Sequence, residues 1–361
     1  MKRSSRYTLK FATQKKKELL NQTFEVYGYY LQKTIDLMWT KQISLKKKMS
    51  SKQITWMDNL GGQYKDIIYQ KASQIVRSCR FKKGRKNKSI VKHFCIDFTQ
   101  NQIKVEPASN SYDKWLRLKL PFVKDDKKKE RIEILIPLKE HRHSLKFKDW
   151  KQAKTIKLSP TYAIFTYEKE TPKPKDEGEI IGLDSGYKNL LTTSKGQFIG
   201  KGFDKIYKKI ARKRQGSKAF KRALIERNQK VNQTINRELD LANIKEIRVE
   251  NLKNLKKNIK GKFRKEFNNK FQRWNYRQVL IKLERKTEEE AVQFTRIPPA
   301  YTSQTCPQCH FKHKKNRVLE RFKCLKCGYS EHADIVGAIN IASQEFYVPD
   351  TTNIYLSELN R

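Results

Sequence analysis

The sequence predicts a multidomain α+β protein: a helical segment, then an antiparallel β domain, then an alternating α/β domain beyond a linker. Three observations predict it. Apolar spacing is helical from 15 to 39 and again after Gly61–Gly62. It switches to period two between Val91 and Glu168. Past Glu170–Gly178, which carries Pro172, Pro174 and Gly178, short apolar runs alternate with helical patterns. With 361 residues the chain is long enough for more than one hydrophobic core.

In the first helix Leu20, Phe24, Tyr27, Leu31, Ile35 and Met38 share one face, and the second carries Tyr64, Ile68, Ala72, Ile75 and Cys79. A basic loop around Gly84 spans Arg80–Lys88. Leu116/Leu118/Leu120 and Ile132/Ile134/Ile136 then alternate with charged residues, and Thr155–Lys157 and Tyr162–Tyr167 add further strands, so this part reads as a small antiparallel barrel or sandwich. After the linker, Glu179–Asp184, Tyr187–Thr193 and Gln197–Ile199 form a meander. Residues 204–242 are helical with a break at Gln215–Gly216, and Ile244–Glu250 is a short strand. Phe263–Phe294 reads as one long helix carrying Phe263, Phe267, Phe271 and Trp274, and a final helix runs from about Asp334 to Phe346. The last fifteen residues show no strong pattern.

Charge narrows the function. Lys and Arg total 81 against 37 Asp and Glu, a net charge of +44. A compact chain so charged repels itself unless a polyanion neutralises it. The excess also recurs along the chain, at Lys15–Lys17, Lys46–Lys48, Arg80–Lys88, Lys127–Lys129, Lys205–Lys221 and Lys256–Lys265. Nucleic acid is the expected partner, because counterion release drives such binding. An anionic membrane would need an amphipathic anchor or a lipidation signal, and neither is evident; no apolar run approaches ~18 residues. A soluble, intracellular protein of a prokaryotic-type cell, cytoplasmic and nucleoid-associated, is the expectation.

Four of the six cysteines form Cys306-Pro-Gln-Cys309 and, fourteen residues on, Cys324-Leu-Lys-Cys327 followed by Gly328. Two such knuckles place four thiolates around one Zn²⁺ at about 2.3 Å each, with Gly328 suiting the tight turn. Four cysteines fill the coordination sphere, so the zinc is structural. His310, His313 and His332 are surplus to it, and Cys79 and Cys95 read as ordinary buried thiols.

Three acids sit at element ends. Asp184 closes the strand Ile180-Ile181-Gly182-Leu183, Glu250 closes Ile247-Arg248-Val249, and Asp334 opens the last helix. Phosphodiester hydrolysis by two Mg²⁺ ions needs carboxylates from separate elements converging on metals about 3.5–4 Å apart. Strand, two hairpin strands, helices, strand, helix is the element order of an RNase H-like sheet, whose first and fourth strands adjoin beneath the last helix.

The run Ile181-Gly182-Leu183-Asp184-Ser185-Gly186-Tyr187-Lys188, the run Val249-Glu250-Asn251-Leu252, and Pro298 through Cys306 and on to Ala333-Asp334 together resemble TnpB. TnpB proteins are transposon-encoded, RNA-guided endonucleases related to type V CRISPR effectors. The motif match covers 178–343, with Tyr301–Cys309 its most specific part. By that resemblance Asp184, Glu250 and Asp334 are the RuvC acids that hold two catalytic Mg²⁺, and Cys306, Cys309, Cys324 and Cys327 hold one structural Zn²⁺. It also implies a wedge-type β-barrel at 1–12 and 89–170, a helical recognition segment at 13–88, a linker at 171–178, a RuvC-like nuclease at 179–300 and 334–346, a zinc ribbon at 301–333 and a tail at 347–361. The implied partners are a guide RNA and double-stranded target DNA, with base pairing reading sequence and the protein reading backbone and one short duplex motif. Arg80, Lys82, Lys83 and Arg85, and Lys208, Lys209, Arg212, Lys213 and Arg214, are the candidate nucleic-acid contacts. Two positions depart from the pattern: many relatives carry Asn at the place of Val336, and the place of His332 is often acidic. The competing readings are a DNA-binding relative without catalysis, a compact type V CRISPR effector, and a DDE transposase, whose acids come in the order Asp, Asp, Glu rather than Asp, Glu, Asp.

Overall fold

The computed structural model describes residues 1–43, 45, 49–57, 60–80, 87–125, 130–252 and 265–344. Lys82, Lys83, Arg85, Lys46–Lys48, Phe263 and the tail at 347–361 lie outside the described residues. The chain divides into two compact units, Met1–Glu170 and Thr171–Asn360.

In the first unit, β1 (Lys2–Thr8) leads into α1 (Gln14–Trp39) and α2 (Gly62–Arg80). Then follow β2 (Ile96–Phe98), β3 (Ile103–Pro107), β4 (Lys114–Asp125), β5 (Glu130–Leu138), β6 (Lys151–Leu158) and β7 (Tyr162–Glu168). One antiparallel sheet has the order β1-β7-β6-β2 and a second has the order β3-β4-β5. Their inward positions follow the period-two pattern. Leu116 opposes Ile136 and Leu118 opposes Ile134, all buried, in one core with Leu31, Ile35 and Met38 of α1 and Ile68 and Ala72 of α2. Arg80 ends α2 by donating to the carbonyls of Met38 and Trp39 and lying over the Trp39 ring. Its guanidinium thereby closes the C-terminal end of α1, where cations are favoured.

The second unit builds a five-stranded mixed sheet in the order β10-β9-β8-β11-β12 from β8 (Glu179–Asp184), β9 (Leu191–Thr193), β10 (Phe198–Ile199), β11 (Ile244–Glu250) and β12 (Gln293–Ile297). β8, β11 and β12 run parallel, and β8-β9-β10 is an antiparallel meander. Parallel neighbours need long crossovers, and α3 (Asp204–Ala211) and α4 (Lys218–Glu238) lie on the path from β10 to β11. The last helix, α7 (Ala333–Ser343), packs on β8 and β11.

The single helix expected over Phe263–Phe294 is corrected. The described chain forms α5 (Lys265–Arg273), breaks at Trp274–Asn275, forms α6 (Tyr276–Glu289) and then enters β12. Tertiary bonds hold the break: the Trp274 indole donates to the Gly186 carbonyl at 2.9 Å, and Tyr207 donates to the Asn275 side chain at 2.8 Å. Ala291, at φ 58°, turns the chain out of α6 so that Phe294 and Thr295 pair with Ile247 and Arg248. Helical periodicity continues through a segment whose hydrogen bonds go elsewhere.

Strand parity decides what α7 meets. On β8, Ile181 and Leu183 enter the core while Gly182 and Asp184 face α7; on β11, Ile247 and Val249 enter the core while Glu246, Arg248 and Glu250 take the other face. Gly182 is required by this contact, because a Cβ there would stand 2.0 Å from the Ala338 carbonyl oxygen and 2.5 Å from the Ala342 nitrogen. Gly182→Ala should therefore lift α7 off the sheet and cost about 3 kcal/mol, read as a lowered urea midpoint for this unit. An unchanged midpoint would show that the helix seat is looser than the contact implies.

Candidate functional site

Asp184 and Glu250 end neighbouring parallel strands, where Val249 aligns with Leu183, so one further residue on each strand brings the two acids side by side on the α7 face. Asp334 joins them from the first turn of α7, whose N-cap is His332; the ring Nδ1 accepts from the Asp334 N–H at 3.2 Å. One turn on, Gly337 leaves room for Asp184, whose Oδ2 would lie 3.2 Å from a Cβ at that position. Three separate elements thus bring Glu250 and Asp334 near enough to Asp184 for their charges to act on it.

Their electrostatics report the crowding. Burial, then the charges of Glu250 and Asp334, push the Asp184 carboxyl up to about 8, against the pull of Arg317 and of the Ser185 N–H. Glu250 is also raised, by burial, although Thr302 and Arg317 work against the rise. Thr302 donates to Glu250 Oε1 at 2.5 Å, and Arg317 Nη2 donates to Asp334 Oδ1 at 3.0 Å. Asn340 of α7 donates to the carbonyls of Thr302 and Thr305 at 2.6 and 2.8 Å. The buried Arg248, paired with Glu246 at 3.0 Å, donates to Ala342 and Gln344 and so ties the C-terminal end of α7 to β11.

Among the described residues, the group whose metal-ligating atoms all lie within 4.8 Å of one another is Cys306, Cys309, Cys324 and Cys327. Cys306 and Cys327 have sulfurs 3.6 Å apart, and Cys309 and Cys324 have theirs at 3.5 Å. A tetrahedron of thiolates at about 2.3 Å from zinc has edges of about 3.8 Å, so this donor set fits Zn²⁺. Burial works against the Cys324 thiolate, yet the Cys327 and Lys326 N–H groups draw it down to about 6. Gly328 takes φ 77° in the second knuckle. The module continues through β13 (Arg317–Val318), β14 (Arg321–Lys323) and β15 (Ser330–His332), and its core of Cys306, Phe322 and Cys324 includes Ala333 and Val336 of α7. Asp184, Glu250 and Asp334 do not form such a group among the described residues, and Arg317 lies beside Asp334.

Sequence reasoning missed Thr302, Arg317 and Asn340. Thr302 lies within the segment that carries the most specific resemblance, but nothing in the sequence says that its hydroxyl reaches Glu250. Of the basic candidates, Lys208 pairs with Asp204 at 2.8 Å and Lys209 with Glu226 at 3.0 Å, while Arg212, Lys213 and Arg214 are exposed. Among the described residues no helix is long and apolar enough to cross a membrane.

Fold and site together define a mixed α+β protein in which a four-cysteine, zinc-ribbon-like module packs onto the last helix of a sheet-and-helix unit. Residues 276–341 match the Cas12f1-like TNB domain. The chain is 40% identical over 72 residues to the CRISPR-associated endodeoxyribonuclease Cas12f1 of Sulfoacidibacillus thermotolerans, a stretch covering 20% of this chain and 17% of that protein. It is 46% identical over 46 residues to "Putative RNA-guided DNA endonuclease InsQ" of Escherichia coli (strain K12), covering 12% of this chain and 11% of that one. The matched stretches thus span less than a fifth of these relatives. In fold the chain is similar to a Cas12f1 chain from a cryo-EM structure of the Cas12f1–sgRNA–target DNA complex, with a TM-score of 0.58 and 16% identity, over 91% of this chain and 82% of that one. The sequence likeness to Cas12f1 and InsQ proteins is thus local and the TNB match spans 276–341, while the likeness to the Cas12f1 chain over most of this one is a likeness of fold.

Proposed function

We propose that this protein is an RNA-guided, Mg²⁺-dependent DNA endonuclease whose RNase H-like, RuvC-type site is made by Asp184, Glu250 and Asp334. What supports the reading is the placement of these acids at two parallel strand ends and one helix start, near enough that the charges of Glu250 and Asp334 raise Asp184. Carboxylate oxygens are hard ligands suited to Mg²⁺. Two bound ions supply an activated water and a stabilised leaving oxygen in phosphodiester hydrolysis. The chain's own residues prepare that site. Thr302 orients Glu250, His332 caps the helix at Asp334, and Gly337 admits Asp184. Arg317, paired with Asp334 Oδ1, offsets part of the acids' charge.

The first unit is assigned to wedge and recognition roles, with 1–12 and 89–170 as wedge and 13–88 as recognition segment, and the net charge of +44 supports a guide RNA and duplex DNA as partners. Similarity to Cas12f1 supports a compact CRISPR effector as the second reading; the chemistry is shared, and the neighbouring DNA distinguishes the two.

Protein purified without added RNA should carry one discrete RNA whose end encodes the guide. A duplex matching that end should be cut in Mg²⁺ and spared in EDTA. Equal cutting of unmatched DNA by RNA-free protein would overturn the guided reading.

A further inference from the structure

β13 and β14 pair Arg317 with Phe322 and Val318 with Arg321, so the two-residue turn between them is Leu319-Glu320. Such turns favour Asn or Gly, because their first residue takes positive φ. Leu319 takes it, at φ 55°, which a branched apolar side chain adopts only at a cost. Nothing in the fold repays that cost through burial: Leu319 is 86% exposed and Val318 is 65% exposed. A strained, exposed leucine where glycine or asparagine would serve the turn better points to a use outside the fold.

Hydrogen bonds hold the turn beside Asp334. The Arg317 guanidinium that donates to Asp334 at 3.0 Å also donates, through Nε, to the Leu319 carbonyl at 3.1 Å. Glu320 accepts from the Ala333 N–H at 2.8 Å and pairs with Lys188 at 3.2 Å. The surrounding module carries seven basic residues against two acidic ones between 301 and 333, and Lys314, Lys315, Arg321 and Lys323 are exposed. An apolar tip set in a basic field suits a partner with an anionic backbone and flat apolar bases.

We propose that Leu319, with Val318 beside it, is a substrate-contact residue that packs its side chain against a nucleobase of the DNA strand lying at Asp334. Apolar side chains insert against unstacked bases in this way, while neighbouring cations hold the phosphates. The inference rests on the nuclease reading for its choice of strand.

Leu319→Gly separates the fold from the contact, since glycine relieves the turn and removes the side chain. The variant should melt at or above the parent's temperature, yet cleave its guided target with kcat/KM lowered about tenfold, the scale of one lost base contact. Val318→Ser should lower it by a smaller factor in the same direction. A binding assay without cleavage uses a single-stranded oligodeoxynucleotide carrying 2-aminopurine, added to the full-length Asp184→Asn protein. Its fluorescence should change with that protein and stay unchanged when Leu319→Gly is added to the same background. Parent-like cleavage and fluorescence in Leu319→Gly would overturn the proposal. Because the fluorescence needs no cleavage, an inactive parent protein would overturn the nuclease reading and leave the base contact separately scored.

Discussion

Asp184→Asn is expected to abolish DNA cleavage and to make the metal-free protein more stable. Removing a partner that merely supports a metal ligand costs about 10–100-fold, and losing a ligand should cost more, on the order of a thousandfold or beyond. Guide and target binding should survive, so a gel-shift at parent affinity beside a flat cleavage time course is the expected pair of results. Stability follows from linkage. The folded Asp184 carboxyl titrates at about 8, above its ordinary 3.8, so between these values the folded chain holds a proton that the unfolded chain has released. The contribution of this group to stability therefore falls as pH rises from about 4 to 8. Asparagine has no such proton to lose, and the variant's melting temperature in EDTA should exceed the parent's by a margin that widens across that window. Divalent cations reverse the comparison, because they bind the ionised acids of the parent, and the Mg²⁺ needed for half-maximal cleavage should decrease toward pH 8. A variant that still cleaves at the parent rate would remove Asp184 from the chemistry.

Much of this site is legible in the amino-acid order alone, for reasons that differ by residue. The four cysteines are legible because zinc dictates their spacing locally: each pair sits on one short knuckle, and thiol pairs at two-residue separation have few other uses. Asp184 and Glu250 are legible because each follows an apolar run at a strand's end, and strand parity then puts both on the face away from Ile181, Leu183, Ile247 and Val249. Arg317, Thr302 and Asn340 are not legible. Each acts through a long-range hydrogen bond, 17, 52 and 38 residues away in the chain, and no local pattern encodes such a partner. Arg80 shows the converse. In sequence it opens a basic run and reads as a phosphate contact; in the fold its Nη2 also donates to the carbonyls that end α1, which no local pattern announces. The fifth strand escapes a sequence reading for a related reason, since Gln293–Ile297 continues a charged helical pattern and owes its extended form to β11 beside it. Local chemistry is visible in a sequence; a partner supplied by another element is not.

Zinc removal should have the other large effect, and it should reach the acids rather than stop at the module. Structural zinc contributes roughly 10 kcal/mol or more to the folding of small metal-bound modules, and the buried apolar cluster here is small, with Cys306, Phe322 and Cys324 joined by Ala333 and Val336 of α7. Cys324→Ser should therefore lose its metal, measured as zinc per chain falling from one to near zero, and should unfold the module. Both contacts that hold the acids from outside the sheet would go with it. Thr302, four residues before Cys306, orients Glu250, and Arg317, on β13, balances Asp334. Asn340 would also lose the carbonyls of Thr302 and Thr305, and Val336 its packing against the module, so α7 itself would loosen where Asp334 begins it. Cleavage should consequently fall by about a hundredfold or more at saturating Mg²⁺, although no ligand of the acid site has been touched. Cys79→Ser, which removes a buried thiol in the other unit, is the control and should keep both zinc and cleavage. If Cys324→Ser lost its zinc but cleaved like the parent, the module would be a separate binding appendage and the acids would owe it nothing. The geometry argues otherwise, because one short four-cysteine segment supplies a hydrogen bond to Glu250, an ion pair to Asp334 and a packing surface to the helix that carries Asp334.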